Sequence, residues 1–388
     1  MDDAARPVAA TAPGSPAFRK LTVLLVTPTL DAGAPAAGVF DLVGTLSRAG
    51  HRAIVASRRG ERVAEVQALG GEWVPLDVAS VNPGVIVANA WRMARIVRQN
   101  AVDLIHAHGR AGAWSALAAA RATDRPLVTT WHKGFREQNV LKHLYNGVMA
   151  RGDRVIAASE QIAALVATRY RNVENRLSTV PVPVDAMAFD PAGVTPERIA
   201  AVRTTWGVAP GTRVLLVAGR MLPRKGHHVV VEAAQALKAL GLRDFVCVLA
   251  SPDAGTRYAG ELWDRVLADG TADVVRLAGP MHDMPAVYAA SCAVISAAVQ
   301  PEGAQRVILE AQAMARPVIV SDLGAGGDLV LAPPAVSEDK MTGLRSRPDD
   351  AAELGTLVLR LLSMTDADRA AMGARGRAWV SNRFKPEA

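Results

Sequence analysis

Strand-like and helix-like segments alternate along almost the whole of this 388-residue chain. In the first half, the apolar runs LTVLLVTPTL, RAIVAS, VDLIHAH, PLVTTWH and RVIAAS are separated by segments with helical periodicity. A second series begins at VLLVAG and continues through FVCVLA, VVRLAG, AVISAA, PVIVSD and the short MTGLRS. Alternation of this kind is typical of parallel sheets joined by right-handed helical crossovers. The sequence therefore predicts an α/β fold with two Rossmann-like, doubly wound parallel-sheet domains.

A Pro-rich segment, STVPVPVDAMAFDPAG, separates the two series. A chain of this length exceeds what one hydrophobic core normally serves, so two domains of ordinary size are expected. We place the first domain at residues 20–184 and the second at 185–368, followed by a final helical segment, 369–388. Residues 1–19 lack an apolar h-region and are expected to be a disordered leader.

The second series contains a loop suited to phosphate, GRMLPRKG at residues 219–226, between a buried strand and a helix. Such loops lie at the carboxyl ends of strands, where α/β sheets bind ligands. Gly219 and Gly226 permit close approach of the backbone, Arg220 offers a planar fork and Lys225 a point charge. A solvated basic turn is the alternative.

Two carboxylates lie downstream in PEGAQRVILEAQAMARPVIVSD. Glu302 is predicted in a loop after a strand, and Glu310 in the first turns of the following helix. Carboxylates accept hydrogen bonds from vicinal hydroxyls, so one could bind a ribose and the other a sugar. The alternatives are a solvated loop charge for Glu302 and a favourable charge near a helix N-terminus for Glu310.

From about Leu21 to its end the chain resembles the GT-B retaining glycosyltransferases of family 4, through GRMLPRKG, the Glu pair and PVIVSDLGAGGDLV. The segments HAHGRAGAWSA, TTWHKGF, YNGVMARGDRVIAAS and ASVNPG are similar to bacterial transferases that build the lipopolysaccharide core. The resemblance implies an enzyme of the hexosyltransferase type with its cleft between the domains. It also implies that residues 369–388 cross back onto the first domain.

The resemblance further implies roles for individual residues. It assigns Glu310 to the ribose, Glu302 or its neighbouring backbone to the donor sugar, and Arg220 with Lys225 to the pyrophosphate. His132, in TTWHKG, is implied to lie beside the donor sugar. In the small-residue loop at 30–38, which approaches donor and acceptor in the family, Gly33 is the residue that we select.

The chain departs from the family pattern at two places. Gly303, Ala304 and Gln305 precede Arg306, where the family has a small or aromatic residue and then Gly. We include Gly303, Ala304 and Gln305 in the donor-binding set; how their backbone amides meet the sugar and phosphate stays open. Pro183 replaces a Gly before Val184, which removes an amide donor from the interdomain segment.

The expected chemistry follows from the leaving group. A departing nucleoside diphosphate develops negative charge that fixed cations must stabilise, and Arg220 with Lys225 can do so without a metal or other cofactor. Retention without an obvious enzymic nucleophile favours same-face attack, in which the leaving phosphate assists deprotonation of the acceptor. The donor is a nucleotide-sugar, with UDP, GDP and ADP all left open, and the oligomeric state is open too.

Two other functional classes stay open. A GT-B sugar-nucleotide epimerase or hydrolase would turn over the donor without an acceptor product. A non-catalytic anion-binding scaffold would explain basic residues but not paired Glu residues beside a phosphate loop. A nucleic-acid partner fits least, because aromatic residues make up 4% of the chain and no known motif is present.

Several weaker candidates have structural explanations. His106 and His108 alternate on a strand and face the same side, but nothing completes a metal site, which favours a structural or pocket-lining role. Asp366 and Asp368 spell Asp-x-Asp where a helix begins, so helix capping is the better explanation. Ser159 is equally suited to cap a helix or to bind a ligand.

Positive charge is concentrated in the first half. Residues 1–185 contain 22 Lys and Arg against 15 Asp and Glu, whereas residues 186–388 contain 22 of each. The basic residues that we single out are SRRGER at 57–62, Arg92, Arg95, Arg98, Lys133, Arg136 and Lys142. An anionic partner is expected for the first domain, either a phospholipid surface or a lipid-linked or phosphorylated glycan acceptor; solubilising charge on all faces is the alternative.

The same features give an expected location. No stretch of 18 apolar residues suggests a membrane span. Cys247 and Cys292 lie in apolar strand-like runs, so we expect both to be buried free thiols, as in proteins of the reducing cytoplasm. We expect a cytoplasmic protein, peripheral on the inner face of the inner membrane, that acts in the synthesis of lipopolysaccharide core or another cell-envelope glycan.

Overall fold

A computed structural model describes residues 19–31, 33–135, 139–303 and 305–385. Its first sheet has seven parallel strands in the order β3-β2-β1-β4-β5-β6-β7. These strands are β1 Thr22–Val26, β2 Arg52–Ser57, β3 Glu72–Pro75, β4 Leu104–Ala107, β5 Leu127–Trp131, β6 Arg154–Ala157 and β7 Leu177–Thr179. Six helices accompany it: α1 Ala34–Arg48, α2 Val63–Ala68, α3 Pro83–Gln99, α4 Arg110–Thr123, α5 Val140–Asn146 and α6 Glu160–Arg169.

The second sheet has six parallel strands in the order β10-β9-β8-β11-β12-β13. They are β8 Arg213–Ala218, β9 Phe245–Ala250, β10 Val275–Ala278, β11 Ala293–Ser296, β12 Val318–Ser321 and β13 Gly343–Ser346. Its helices are α7 Pro196–Thr205, α8 His227–Ala239, α9 Arg257–Ala268, α10 Met284–Ala289, α11 Arg306–Ala313, α12 Ala351–Ser363 and α13 Asp366–Arg383. The predicted pair of doubly wound parallel-sheet domains is therefore confirmed.

Each sheet has an apolar core on both faces, which explains why the strands read as continuous apolar runs. Six strands are predicted from the sequence in the second domain but only five in the first. The two that it missed are the edge strands β3 and β7. β3 is partly exposed along its length and β7 has three residues, so neither carries the buried apolar run that marks a strand.

Helix starts agree with local capping chemistry. Asn82 accepts a hydrogen bond from the amide of Gly84 at 2.9 Å, and Pro83 occupies the first position of α3. Thr365 accepts from the amide of Asp368 at 3.1 Å, so the Asp-x-Asp segment begins α13, as predicted. Ser159 accepts from the amide of Ile162 at 3.2 Å and caps α6.

Helix α13 packs on the second domain, and its C-terminal end reaches the interdomain segment; the crossing onto the first domain that the resemblance implied stays a prediction. Met372, Val380 and Phe384 are buried in the cores of the second domain, because the apolar residues of α13 face α11. At its end, the carbonyl of Phe384 accepts a hydrogen bond from the amide of Val184, 2.9 Å away in the interdomain segment. None of the helices in the described residues is long and apolar enough to span a membrane.

The strand orders identify where ligands bind. The direction in which successive strands are added to the sheet reverses between β1 and β4 in the first sheet, and between β8 and β11 in the second. In open α/β sheets the crevice at such a switch point, outside the carboxyl ends of the strands, is the usual ligand site. The loop after β8 is GRMLPRKG, and the loop after β11 contains Glu302. Two segments about 80 residues apart in the chain are thereby brought together.

Candidate active site

The phosphate-loop candidate is a short 3-10 helix, Pro223–Lys225, that ends at Gly226. Gly226 has φ 71°, and a Cβ there would lie 1.8 Å from the carbonyl oxygen of Ala297, just after β11. The amide of Val299 donates to the carbonyl of Arg224 at 2.9 Å. The loop is thus fixed against the segment that leads to Glu302, and a glycine is required where the two backbones meet.

Glu302 lies between two cations of this loop. Its carboxylate accepts a hydrogen bond from Lys225 and forms an ion pair with Arg224 at 3.2 Å. The Glu302 side chain is only 11% exposed, so this neutralisation is largely shielded from solvent. Arg224 belongs to the same basic run but is not among the site residues predicted from the sequence.

Arg220 extends from the same loop toward the end of β9. Its Nε donates to Asp253 at 2.8 Å, and the amide of Asp253 donates to Ser251 Oγ at 3.0 Å. Sequence reasoning missed Asp253, because nothing in the run SPDAG indicates which cation its carboxylate will meet. Three cations near the predicted pyrophosphate position, Arg220, Arg224 and Lys225, are therefore paired with carboxylates.

Glu310 lies in α11, as predicted, with its side chain against the buried Tyr288 of α10. The phenol of Tyr288 donates to Glu310 Oε2 at 2.7 Å. Burial raises the pKa of Glu310, while Tyr288 and Arg306 act in the opposite direction. Tyr288 is not among the predicted site residues, because its apolar sequence context is typical of a core position.

A small cleft opens beside Glu310 at the carboxyl ends of β8 and β9. Gly219 follows β8 and forms part of its wall. The other lining residues are Ala218, Ala250, Ser251, Pro252, Met281, Met284, Tyr288, Val307 and Glu310. The lining is mostly apolar with one carboxylate at its edge, a composition that suits a flat base joined to a ribose.

His132 follows β5 in the first domain and faces the Glu302 loop across the cleft. A Cβ on Gly303 would lie 1.8 Å from the carbonyl oxygen of His132, so the two domains meet backbone to backbone there. A Cβ on Gly38 of α1 would lie 2.8 Å from His132 Cε1. Sequence reasoning missed Gly38. Gly33, which it selected, lies immediately before α1.

The remaining donor-binding predictions concern the loop before α11. The Gln305 side chain is buried and accepts from Ser296 Oγ at 2.5 Å, so it faces the core. A donor contact at Gln305 therefore stays a prediction for its backbone alone. Ala304 lies outside the described residues.

An ion pair joins the domains beside these groups. Arg306, the first residue of α11, donates to Asp41 of α1. Burial raises the pKa of Asp41, and Arg306 opposes that shift. Burial likewise lowers the pKa of His132 to about 4, with Arg306 adding to the effect. His132 is therefore a neutral imidazole at physiological pH.

Much of the basic charge at residues 57–62 is already paired. Arg58 contacts Asp77 at 2.8 Å, and Arg62 contacts Glu65 at 2.6 Å. Arg136, another of the selected residues, lies outside the described residues. These pairs reduce the positive field that the sequence suggested for this cluster.

A different basic surface lies near α5. Arg151, Arg169, Arg171 and Arg176 line one open cavity, which we call the arginine pocket. It adjoins the exposed apolar face of α5, formed by Val140, Leu141 and Leu144, which are 73%, 77% and 53% exposed. The described residues contain no cluster of three or more His, Cys, Asp or Glu side chains that could hold a metal ion.

Two family models and several known proteins are similar to this chain. The family model described as Glycosyltransferase Family 4 matches residues 36–187, and that described as Glycosyl transferases group 1 matches residues 212–364. The chain is 29% identical over 391 residues to a D-inositol 3-phosphate glycosyltransferase of Kineococcus radiotolerans, which covers 89% of this chain and 86% of the relative.

Solved structures extend the likeness over the whole fold. A glycosyltransferase from Rickettsia africae has a TM-score of 0.84 and 27% identity, covering 95% of this chain and 96% of its own. An Anabaena protein in complex with UDP and glucose has a TM-score of 0.79, 20% identity and the same coverage. At that identity the Anabaena likeness concerns the fold alone.

Proposed function

Because this chain belongs to the GT-B glycosyltransferases of family 4, we propose that it transfers a sugar from a nucleotide-sugar to a lipid-linked or phosphorylated glycan acceptor with retention of configuration. The observation that carries the proposal is the meeting of two loops at the β8/β11 switch point. There Glu302 lies between Arg224 and Lys225, while Glu310 lies at the edge of an apolar cleft.

The nucleoside occupies the apolar cleft beside Glu310 in this proposal. Tyr288 engages one carboxylate oxygen of Glu310, which leaves Oε1 to accept hydrogen bonds from the ribose hydroxyls. UDP, GDP and ADP all remain candidates for the nucleotide. The Anabaena structure with UDP supports a nucleotide donor in this fold but does not select the base.

Binding of the donor exchanges the partners of the cations. Arg220 leaves Asp253, and Lys225 leaves Glu302, so that both contact the pyrophosphate. The released Glu302 then accepts hydrogen bonds from hydroxyls of the transferred sugar. This exchange keeps the carboxylates and cations paired before binding and places positive charge where the leaving group becomes more negative.

Transfer then takes place on one face of the sugar. The acceptor hydroxyl attacks from the side of the departing diphosphate, whose oxygen takes the proton of that hydroxyl. His132 holds a sugar hydroxyl next to the reacting carbon. The protein contributes position and fixed charge, and no residue becomes covalently attached to the sugar.

The acceptor side lies on the first domain. The excess of basic residues there and the phosphorylated inositol in the relative's name both support an anionic acceptor. The sequence segments that resemble lipopolysaccharide-core transferases support a cell-envelope glycan, made at the cytoplasmic face of the inner membrane.

A donor panel followed by a transfer assay tests the function. We expect one of the UDP-, GDP-, ADP- or dTDP-sugars to raise the melting temperature and to yield an acceptor product. Glu310→Ala and Lys225→Ala lower transfer by roughly 10- to 150-fold but leave the protein folded, since each removes a charged contact of about 1.5 to 3 kcal/mol. The matched controls Glu338→Ala and Lys340→Ala, in an exposed turn of the second domain, retain activity.

The same assay separates the alternatives. Donor turnover without any acceptor product, under all acceptors tried, would indicate the epimerase or hydrolase. If the protein binds none of the nucleotide-sugars, the result would instead favour the non-catalytic anion-binding scaffold. Wild-type turnover in purified Glu310→Ala or Lys225→Ala would refute the site.

A further inference from the structure

Three histidines form a buried stack on the first-domain wall of the cleft. His106 and His108 lie two residues apart at the end of β4, with ring centroids 4.2 Å apart. His132, at the end of β5, stacks on His108 at 5.1 Å. His106 Nε2 and Thr130 Oγ1 are 2.7 Å apart, which fixes the inner end of the stack.

A single hydrogen atom lies in the hydrogen bond between the rings of His108 and His132. His108 Nδ1 and His132 Nε2 are 2.8 Å apart, which is a hydrogen bond that only one of them can donate. Burial lowers the pKa of His108 well below its ordinary value, and that of His132 to about 4. Both rings are therefore neutral near pH 7, and each carries a single N–H.

This arrangement forces the two rings into the same tautomer. If His132 donates from Nε2, His108 Nδ1 is the acceptor and the hydrogen of His108 lies on Nε2. If His108 donates from Nδ1, His132 Nε2 is the acceptor and the hydrogen of His132 lies on Nδ1. The outer nitrogens, His108 Nε2 and His132 Nδ1, consequently have opposite hydrogen-bonding character at any moment.

His108 Nε2 is buried and has no hydrogen-bond partner among the described residues. The His108 side chain is 3% exposed and lines a cavity of about 220 Å³ in the first domain. The same cavity is lined by Thr130, His132 and the cationic Lys133. A buried polar nitrogen without a partner is costly, so an occupant that can hydrogen-bond to it is favoured.

We propose that this cavity is an acceptor subsite, in which His108 Nε2 hydrogen-bonds a hydroxyl of a sugar or polyol and sets the tautomer of His132. The inference rests on the proposed function. A hydroxyl that donates to His108 Nε2 leaves the hydrogen of His108 on Nδ1, and therefore that of His132 on Nδ1 as well. A hydroxyl that accepts from His108 Nε2 produces the opposite state. Acceptor occupancy thus determines whether His132 Nδ1 donates or accepts beside the donor sugar.

Two substitutions at one position separate the two contacts of His108. In His108→Asn the side-chain amide reaches the place of Nδ1, so the partner of His132 is kept and the cavity contact is lost. In His108→Gln the amide reaches the place of Nε2, so the cavity contact is kept and the partner of His132 is lost. His106→Asn is the control for packing within the stack, since His106 does not line the cavity.

Binding of D-inositol 3-phosphate, in the presence of the nucleoside diphosphate of the donor that the panel identifies, is the first measurement. We expect calorimetry to show a roughly 10-fold weaker binding to His108→Asn, as loss of one hydrogen bond predicts. His108→Gln and His106→Asn should remain within about threefold of the wild type. Equal losses in His108→Asn and His108→Gln, or no binding of this polyol to the wild type, would overturn the subsite.

Nitrogen-15 spectra of histidine-labelled protein are the second measurement. In the wild type His108 and His132 show the same tautomer, and the polyol changes both together; in His108→Gln the polyol leaves His132 unchanged. Opposite tautomers in the wild type would overturn the coupling. Binding of UDP, GDP and ADP and turnover of the donor are measured in parallel, so that failure of the proposed function is recognised separately.

Discussion

Glu302 and Glu310 come from one sequence motif but occupy opposite environments. Glu302 is neutralised by two cations, whereas Glu310 is buried against the phenol of Tyr288. A carboxylate between cations becomes available only when an anionic ligand displaces it. A carboxylate held by a phenol is already oriented. We therefore expect Glu310 to contribute to nucleotide binding from the outset and Glu302 to act after the pyrophosphate has arrived.

Tyr288→Phe tests the orientation of Glu310. Loss of a hydrogen bond to a charged group should weaken nucleotide binding by about 1.5 to 3 kcal/mol. The pKa of Glu310, which burial already raises, rises further without the phenol. Because the carboxylate form accepts the ribose hydroxyls, nucleotide affinity falls as the pH drops through this pKa, and the fall begins at higher pH in the variant.

The measurement is the nucleotide dissociation constant between pH 5 and 8. Folding stability changes in the opposite direction to nucleotide affinity. Because the pKa of Glu310 is raised in the folded state, the free energy of unfolding increases as the pH falls and Glu310 takes up its proton. Tyr145→Phe, in the first domain, is the control. Identical pH profiles of wild type and Tyr288→Phe would show that the phenol has only a packing role.

His132→Ala tests the histidine beside the donor sugar. We expect transfer to fall by about 10-fold or more, since a positioned hydrogen bond of about 1.4 kcal/mol is lost next to the reacting carbon. Nucleotide binding should be retained, because the nucleotide contacts lie on the second domain. Full transfer by His132→Ala with the true acceptor would assign this histidine to structure alone.

At the scale of elements, the site depends on how closely the loop after β8 approaches the strand end of β11. Gly226 provides that approach, with φ 71° and no room for a Cβ against Ala297. The ion pair of Glu302 with Arg224 and Lys225 forms only because these two loops are adjacent. A change in the backbone at Gly226 should therefore alter stability and donor binding together.

Gly226→Ala is expected to destabilise the fold by more than about 2 kcal/mol, as left-handed strain and a backbone clash add. Nucleotide binding should be lost with it. Gly211→Ala is the matched control, because Gly211 also has a positive φ, 84°, but a Cβ there meets open space. We expect Gly211→Ala to destabilise the fold by about 1 kcal/mol, from its left-handed backbone conformation alone. Equal destabilisation of the two variants in urea denaturation would contradict the close approach.

At the scale of the whole molecule, the excess of basic residues in the first half of the chain can be assigned to a particular surface. Arg58 and Arg62, which the sequence made prominent, are paired with carboxylates. The arginine pocket instead lies beside the exposed apolar face of α5. Cationic and apolar groups on one surface suit the boundary of an anionic bilayer. We therefore expect this surface of the first domain to contact the membrane in the proposed function.

Replacement of Arg151, Arg169 and Arg171 by Ser should weaken binding to phosphatidylglycerol vesicles, by about 1 kcal/mol per residue. The effect should diminish with salt, because charges are screened over about 8 Å at physiological ionic strength. The matched control replaces Arg58, Arg59 and Arg62 by Ser, and this triple variant should lose less binding to the vesicles. Donor binding should be unchanged in both. Cosedimentation that is equal for neutral and anionic vesicles, or equal for the two triple variants, would contradict this location.

The sequence by itself determined the class of fold and the segments that carry the chemistry. Strand and helix periodicities are local properties, so the two doubly wound sheets, the loop at 219–226 and the helix of Glu310 could be read directly from it. The edge strands β3 and β7 could not be predicted from the sequence, because partly exposed or very short strands lack a buried apolar run.

Only the tertiary structure decided which of these segments meet. The order of the second sheet places β11 beside β8, so Glu302 pairs with Lys225, 77 residues away, and Arg306 reaches Asp41, 265 residues away. The stack of His106, His108 and His132 likewise requires β4 and β5 to be neighbours. Such partners depend on strand order and domain closure, which are settled by burial over the whole chain rather than by any local pattern of residues.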